Sequence, residues 1–176
     1  MSAMPPALTL AALNRMERGN FVGTLGGVFE HSPWVAEAAW PGVPFSSIAA
    51  LHAAMVAGVR STSPERQLDL IRAHPDLAGK AALSGAMTAN SVAEQASAGL
   101  LSLDDDEYDR LLRLNTDYRE RFGLPFIIAV RRHDRASLLA AFETRLGNSR
   151  AVEIEAALGE IFTITRLRLD ALFGAG

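Results

Sequence analysis

The sequence predicts an all-α protein, a single compact domain of roughly eight helices over residues 1–176 without a sheet. Two observations predict this class. Most breaks along the chain carry residues that typically begin or end helices. Only one short apolar run, 126–130, has the character of a strand, and a lone strand has no partner with which to form a sheet. We therefore expect 126–130 to be an isolated strand or a buried extended segment, and the first few residues to be disordered.

The first predicted helix starts combine a serine with a proline. In Ser32-Pro33 and Ser63-Pro64, serine is a typical N-cap, and proline is tolerated at the first helical position, where its missing N–H costs nothing. The helix after Ser63 is expected to end near His74, because Pro75 disfavours helical backbone at the residue before it.

Later helices are predicted from capping patterns. Ser91-Val92-Ala93-Glu94 has the S-x-x-E spacing of a capping box and is expected to begin a helix. Asp104 and Asp105 are expected to cap the next helix, which ends at Gly123. Two more helices are expected at 136–146 and at about 150–173.

Composition and motifs exclude several classes of function. Cysteine is absent, which excludes disulfides, thiolate catalysis and sulfur-ligated metals. The formal net charge of −3 offers no basic excess for nucleic acid. No apolar run reaches the ~20 residues of a membrane span, and the first residues do not resemble a signal peptide, so we expect a soluble, cytoplasmic protein. Zinc-binding H-E-x-x-H, nucleophile-elbow and phosphate-loop motifs are also missing from the sequence.

His74 has two interpretations. It lies where a helix is expected to end, and the partial negative charge of a helix C-terminus favours a protonated imidazole. Such a ring could be an acid or a base near neutral pH. The simpler interpretation is that His74 only caps the helix with a hydrogen bond.

Ser91, Glu94 and Gln95 are also open to two interpretations. Ser91 and Glu94 match a capping box, and from the pattern alone we favour that role. The small residues around them leave room for a ligand at a helix N-terminus, where backbone N–H groups point outward. A binding role therefore remains as the alternative.

Arg168 lies on an apolar helix face. Steps of three and four residues place it on one side of the last helix with Ile154, Leu158, Ile161, Thr165 and Leu172. An inward guanidinium is costly unless an anion meets it. The anion is either a protein carboxylate or a substrate, unless the side chain snorkels to water.

At these residues the sequence resembles the OHCU decarboxylases, which act on 2-oxo-4-hydroxy-4-carboxy-5-ureidoimidazoline. HPDLAG, SxxEQ, FGxPF and ExxxIxxxRL occur in that order, and together they are highly specific. The matching segments are FVGTLGGVFEHSPWVAEAAW (21–40), LIRAHPDLAGKAAL (70–83), SVAEQASAGL (91–100), LNTDYRERFGLPFIIAVR (114–131) and EIFTITRLRLDAL (160–172).

The resemblance implies an all-helical carboxy-lyase of urate breakdown that produces (S)-allantoin without a metal or organic cofactor. It implies a homodimer that binds a small ureidoimidazoline substrate. It implies no nucleic-acid partner and no membrane partner. The implied catalytic residues are His74, Glu94 and Arg168. The implied substrate-binding residues are Pro75, Ser91, Gln95, Phe126, Ile127, Ile128, Ala129 and Val130. A different class of function also remains: a helical module that binds a purine-derived ligand, or scaffolds neighbouring enzymes, without turnover.

Overall fold

The computed structural model describes residues 7–78 and 87–175. Within these residues all regular structure is helical, which confirms the predicted all-α class. The nine α-helices of the described residues are α1 (Leu10–Leu13), α2 (Arg18–Leu25), α3 (Trp34–Ala39), α4 (Ile48–Arg60), α5 (Pro64–Arg72), α6 (Ala89–Ser97), α7 (Asp105–Phe122), α8 (Arg135–Leu146) and α9 (Arg150–Leu172). Two 3₁₀ turns are Trp40–Gly42 and Val130–Arg132.

Two of the sequence features discussed above lie outside the residues that the structure describes. The N-terminal disorder expected for the first few residues lies outside the described part of the chain, as does the end of the HPDLAG motif from Gly79 onward. None of the helices among residues 7–78 and 87–175 is long and apolar enough to cross a bilayer.

The chain folds into two compact units. The first contains Met1–Gln67 and Phe162–Gly176. Its helices α3 and α4 pack closely, because Gly58 has no side chain: a Cβ built there would lie 3.0 Å from that of Ala38. The completely buried side chains of this core include Leu13, Phe21, Leu25, Val35, Leu51, Met55, Val59 and Leu169.

The second unit, Leu68–Ile161, is built around aromatic rings. Phe126 stacks on Phe142 with ring centroids 3.7 Å apart. Tyr118 meets the edge of Phe126 at 5.3 Å. Pairs of this geometry stabilise a core beyond the area that they bury. They fix the apolar run 126–130 against α7 and α8.

Local caps explain most of the observed helix ends. Ser63 Oγ accepts a hydrogen bond from the N–H of Arg66 at 3.3 Å, at the predicted start of α5. Asp104 and Glu107 form a reciprocal capping box at the start of α7. The helix ends at Gly123, whose φ of 67° is the left-handed conformation that glycine adopts at low cost.

One predicted capping box is wrong. Helix α6 begins at Ala89, two residues before Ser91, and Thr88 is its N-cap. Thr88 Oγ1 accepts a hydrogen bond from the N–H of Ser91 at 3.3 Å. Because this cap comes earlier in the chain, Ser91 and Glu94 lie inside the helix and do not open it.

The start of α3 also differs by one residue from the prediction. Pro33 occupies the N-cap position, and α3 begins at Trp34. Ser32 Oγ donates a hydrogen bond to the carbonyl of Glu30 at 2.8 Å, so it stabilises the preceding turn instead of capping the helix.

The run 126–130 forms no strand and is almost completely buried: each of its five residues exposes 6% or less of its surface. Of the two predicted alternatives, the buried segment is the observed one. Its backbone polar groups therefore need partners other than a neighbouring strand.

Candidate active site in the second unit

His74 lies just beyond the end of α5 and exposes only 6% of its surface. Its Nδ1 lies 2.9 Å from the carbonyl oxygen of Leu70. A carbonyl can only accept, so Nδ1 carries the hydrogen in this contact, and Nε2 is the nitrogen that gains or loses a proton. The helix-capping interpretation of His74 is thus realised by one ring nitrogen, and acid–base chemistry is compatible with the other.

Ser91 and Glu94 lie one turn apart on α6 and are both buried. They expose 4% and 9% of their surfaces. Neither is the N-cap, so capping does not explain why these polar side chains face the interior. A carboxylate is seldom buried without a specific role, because its desolvation is costly. The corrected start of α6 therefore places Ser91 and Glu94 as buried polar residues inside the helix.

Gln95 connects α6 to the turn that follows His74. Its Oε1 accepts a hydrogen bond from the N–H of Ala78 at 2.8 Å, and its Nε2 donates to the carbonyl of Asp76 at 3.3 Å. Ala78 has a φ of 49°, a conformation that is strained for a residue with a Cβ. The amide of Gln95 thus holds this turn in place, a role that the sequence did not predict.

Helix α7 holds the same turn. Asn115 Nδ2 donates to the carbonyl of Leu77 at 2.8 Å, and Arg119 pairs with the carboxylate of Asp76 at 2.8 Å. The half-buried Pro75 lies between this turn and His74. The His74 turn is therefore fixed by side chains from two helices.

Two polar groups hold the buried segment 126–130. Arg145 Nη1 donates to the carbonyl of Ile127 at 2.6 Å, and the N–H of Ala129 donates to Glu160 Oε2 at 2.8 Å. The 3₁₀ turn that begins at Val130 packs against α6. The second unit thus brings the His74 turn, α6 and the 126–130 segment into one neighbourhood.

Behind this segment lies a buried ion pair. Arg145 Nη2 is 2.8 Å from Glu153 Oε2, and Glu153 is completely buried. The Tyr118 hydroxyl donates to the same carboxylate, and Asn148 Nδ2 donates to its other oxygen at 2.8 Å. Burial opposes ionisation of Glu153, but the hydrogen bonds from Arg145, Tyr118 and Asn148 outweigh it and lower its pKa.

Tyr118 responds in the opposite direction. Burial, reinforced by the hydrogen bond to Glu153, raises the pKa of Tyr118 far above its ordinary value. The hydroxyl therefore remains a proton donor to the carboxylate at physiological pH.

Three polar residues of this neighbourhood, Arg145, Glu153 and Glu160, were not predicted from the sequence. A signal for Glu153 was present, because it lies four residues before Ala157 and eight before Ile161, both of which are completely buried. The reach of Arg145 to Ile127 depends on how α8 packs, and no local pattern indicates it.

Arg168 belongs to the first unit and points inward as predicted. Its Nη1 lies 2.9 Å from Glu30 Oε2 and 3.1 Å from the carbonyl of Val28. Arg168 and Glu30 expose 6% and 1% of their surfaces. Snorkelling is therefore excluded, and pairing with a protein carboxylate is the alternative that the structure realises.

The other three histidines are His31, His52 and His133. His52 Nε2 contacts Thr165 Oγ1 at 3.0 Å, and burial is the main cause that lowers its pKa. Among the described residues, no group of three His, Cys, Asp or Glu side chains has an arrangement that could hold a metal ion.

The structure is a helical fold in which a buried histidine, carboxylate and amide lie on neighbouring elements. Side chains of these types define a class of protein that can carry out acid–base chemistry on a small molecule. Comparison with known proteins makes this class specific. The family model described as OHCU decarboxylase matches residues 14–170. The chain belongs to the OHCU decarboxylase family.

Individual relatives agree with this assignment. The chain is 45% identical over 168 residues to the 2-oxo-4-hydroxy-4-carboxy-5-ureidoimidazoline decarboxylase of Haloferax volcanii, covering 96% of this chain and 98% of the relative. It is 40% identical to the mouse protein of the same name, covering 96% and 94%. The crystal structure of an (S)-allantoin synthase superposes with a TM-score of 0.76 at 32% identity; the match covers 94% of this chain and 54% of that chain.

Proposed function

We propose that this protein decarboxylates 2-oxo-4-hydroxy-4-carboxy-5-ureidoimidazoline (OHCU) to (S)-allantoin, late in urate breakdown. It is then a carboxy-lyase that needs no metal or organic cofactor. The observation that carries the proposal is the 45% identity to a relative of that name over nearly the whole of both chains. The burial of His74, Ser91 and Glu94 in the second unit supports it, because a carboxylate and other polar side chains are seldom buried without a specific role.

The reaction breaks the bond between a ring carbon and its carboxylate. CO₂ leaves, and the electron pair stays on the carbon, spread onto a neighbouring ring carbonyl or amidine, until a proton is added to one face. The protein therefore has to stabilise developing charge on the ring and to deliver that proton stereospecifically.

His74 is proposed as the proton donor. Its Nδ1 is engaged with Leu70, so Nε2 is the atom that delivers the proton. Glu94 orients His74 or binds the hydroxyl and ureido N–H groups of the substrate. Ser91 and Gln95 contact the polar edges of the ring beside Pro75.

The backbone of 126–130, contributed by Phe126, Ile127, Ile128, Ala129 and Val130, is proposed to bond the ring amides. Arg168, although paired with Glu30, is also proposed to contact the substrate, either at its carboxylate or at a ring oxygen. A guanidinium that binds the departing carboxylate too tightly stabilises the ground state and slows the reaction. Pairing with Glu30 offsets part of the positive charge of Arg168 and therefore weakens its attraction for the departing carboxylate. A role at a ring oxygen where charge develops is compatible with this pairing.

The test is circular dichroism of freshly generated OHCU. Catalysis predicts that optically active allantoin appears faster with the protein than without it. Allantoin formation at the spontaneous rate would contradict the proposal and would leave a module that binds or scaffolds without turnover.

We also propose that the whole chain acts as one domain in the cytoplasm and pairs as a homodimer. The family match at 14–170 spans both units, which supports one functional domain. Light scattering after size exclusion tests the dimer: a mass near twice 18.9 kDa is expected, and a mass of one chain would contradict it.

A further inference from the structure

Arg145 on α8 does two things at once. Its Nη1 donates to the carbonyl of Ile127 at 2.6 Å, and its guanidinium lies 4.4 Å from the centre of the Phe126 ring. Only 12% of the side chain is exposed. One cation therefore contacts both the backbone and the side-chain face of the segment that we propose as substrate-binding.

Glu153 locks this guanidinium in place. Nε lies 3.0 Å and Nη2 2.8 Å from Glu153 Oε2, which is a side-on arrangement of a guanidinium on a carboxylate. Tyr118 and Asn148 donate to the same carboxylate, so its position is fixed as well. The direction of the Nη1–H bond toward Ile127 is thus determined by a rigid, buried network.

The consequence for the backbone follows from the planar peptide. In a trans peptide, the C=O and the N–H point in opposite directions. Arg145 holds the C=O of Ile127, so the N–H of Ile128 is directed away from Arg145. Glu160 holds the N–H of Ala129, so the C=O of Ile128 is directed away from Glu160. Arg145 and Glu160 thereby set the directions of the N–H and the C=O of Ile128.

Stability alone is a weak reason for this network. A buried ion pair gains little over well-packed apolar residues, because desolvating both charges costs about as much as their attraction returns. Arg145 and Glu153 lie in a core of aromatic rings where apolar side chains would pack. Precise placement of a backbone segment is a benefit that apolar residues do not supply.

We propose that Arg145, held by Glu153, is a positioning residue of the decarboxylase, and that it sets the peptide between Ile127 and Ile128 so that Ile128 can bond an amide-like edge of the substrate. This inference rests on the proposed function. In this proposal Arg145 does not contact the substrate. Loss of Arg145 is therefore expected to weaken binding of the substrate more than the chemical step.

The decisive variant combines Arg145→Met with Glu153→Gln. It removes both charges, so no lone charge is left buried, and the unfolding midpoint is expected to stay close to that of the wild type. The hold on Ile127 is nevertheless lost. We expect KM for OHCU to rise about tenfold or more, with a smaller change in kcat, since a misplaced binding group weakens recognition before it affects the chemical step.

Arg145→Lys is the second variant. Lysine keeps the positive charge beside Glu153, but its ammonium cannot form the planar fork that reaches both Glu153 and Ile127. The same rise in KM is expected with the fold intact. Arg110→Met is the matched control, because it removes an arginine that pairs with a carboxylate, Glu143, between helices α7 and α8, but at a site where both side chains are about half exposed.

The outcomes separate the two proposals. Wild-type KM in a stable double variant, or in Arg145→Lys, overturns the positioning role and leaves the decarboxylase proposal standing. A wild-type protein that does not accelerate OHCU loss overturns both. If the double variant does not fold, Arg145→Lys decides alone, and a KM equal to that of Arg110→Met rejects the inference.

Discussion

The hydrogen bond between His74 Nδ1 and Leu70 gives the two ring nitrogens different tasks. The carbonyl of the helix end fixes the tautomer, and the opposite nitrogen carries the exchangeable proton. Glu153 has a comparable arrangement, in which three donors determine the charge of one carboxylate. At this scale, the chemistry of a buried polar residue is decided by its hydrogen-bond partners.

His74→Ala removes the proposed proton donor. We expect kcat for OHCU to fall about 10²–10⁴-fold, the usual contribution of a positioned acid or base, with far-UV circular dichroism unchanged. His133→Ala is the control, because His133 is not a candidate site residue and its ring contacts Ser137 in an exposed position. Full activity of His74→Ala in a folded protein would refute the assignment.

Arg168→Met leaves the carboxylate of Glu30 buried without its arginine. We expect a loss of about 3–5 kcal/mol in unfolding free energy, measured by urea denaturation, because one partner of a buried ion pair is left uncompensated. Arg168→Met combined with Glu30→Gln is expected to recover most of this loss. If that stable double variant also has wild-type KM and kcat, Arg168 has no role toward the substrate.

At the scale of single elements, the ends of the helices are set by short-range bonds. The bonds of Asp104, Ser63 and Gly123 all act within one helical turn, and these three helix ends were predicted from the sequence. Helices α3 and α6 are exceptions: Pro33 and not Ser32 occupies the N-cap position of α3, and two overlapping patterns compete at the start of α6. Thr88 takes the capping role, and this turns Ser91 and Glu94 inward.

Thr88→Ala tests which residue caps α6. Loss of an N-cap costs about 1 kcal/mol, so we expect the unfolding free energy from urea denaturation to fall by about that amount. Asn90→Ala, at an exposed position in the first turn of α6, is the matched control and is expected to change stability by less than about 0.5 kcal/mol. Equal effects of the two substitutions would contradict the cap.

For the molecule as a whole, buried ionised groups couple stability to pH. Burial by itself would raise the pKa of Glu153, but the hydrogen bonds led by that from Arg145 lower it below its ordinary value of 4.5. The contribution of Glu153 to stability is fully present above that ordinary value and is lost as the pH falls through the folded-state pKa. Acidification is therefore expected to lower the free energy of unfolding through protonation of Glu153.

Glu153→Gln tests this coupling. The wild type is expected to be more stable than the variant at pH 7, and the difference is expected to shrink as the pH falls below 4.5, the ordinary pKa of the group. Unfolding free energies from urea titrations at several pH values measure it. A difference that stays constant down to acid pH would show that Glu153 is not the titrating group.

The placement of two candidate site residues was foreseeable from the sequence. The position of His74 before a proline and the inward face of Arg168 followed from local rules, and the order of motifs indicated the family. The fixing of the His74 turn by Gln95 and Asn115 did not follow, because hydrogen bonds to a backbone turn leave no periodic pattern in the sequence.

The sequence by itself determined the helical class, most helix ends and the family, because capping and periodicity act over a few residues and motifs are read directly. Tertiary structure alone decided that Arg168 meets Glu30, 138 residues away, and that Arg145 reaches Ile127. The physical reason is that a buried charge takes whichever partner packing brings within about 3 Å, and that choice is made by the whole fold.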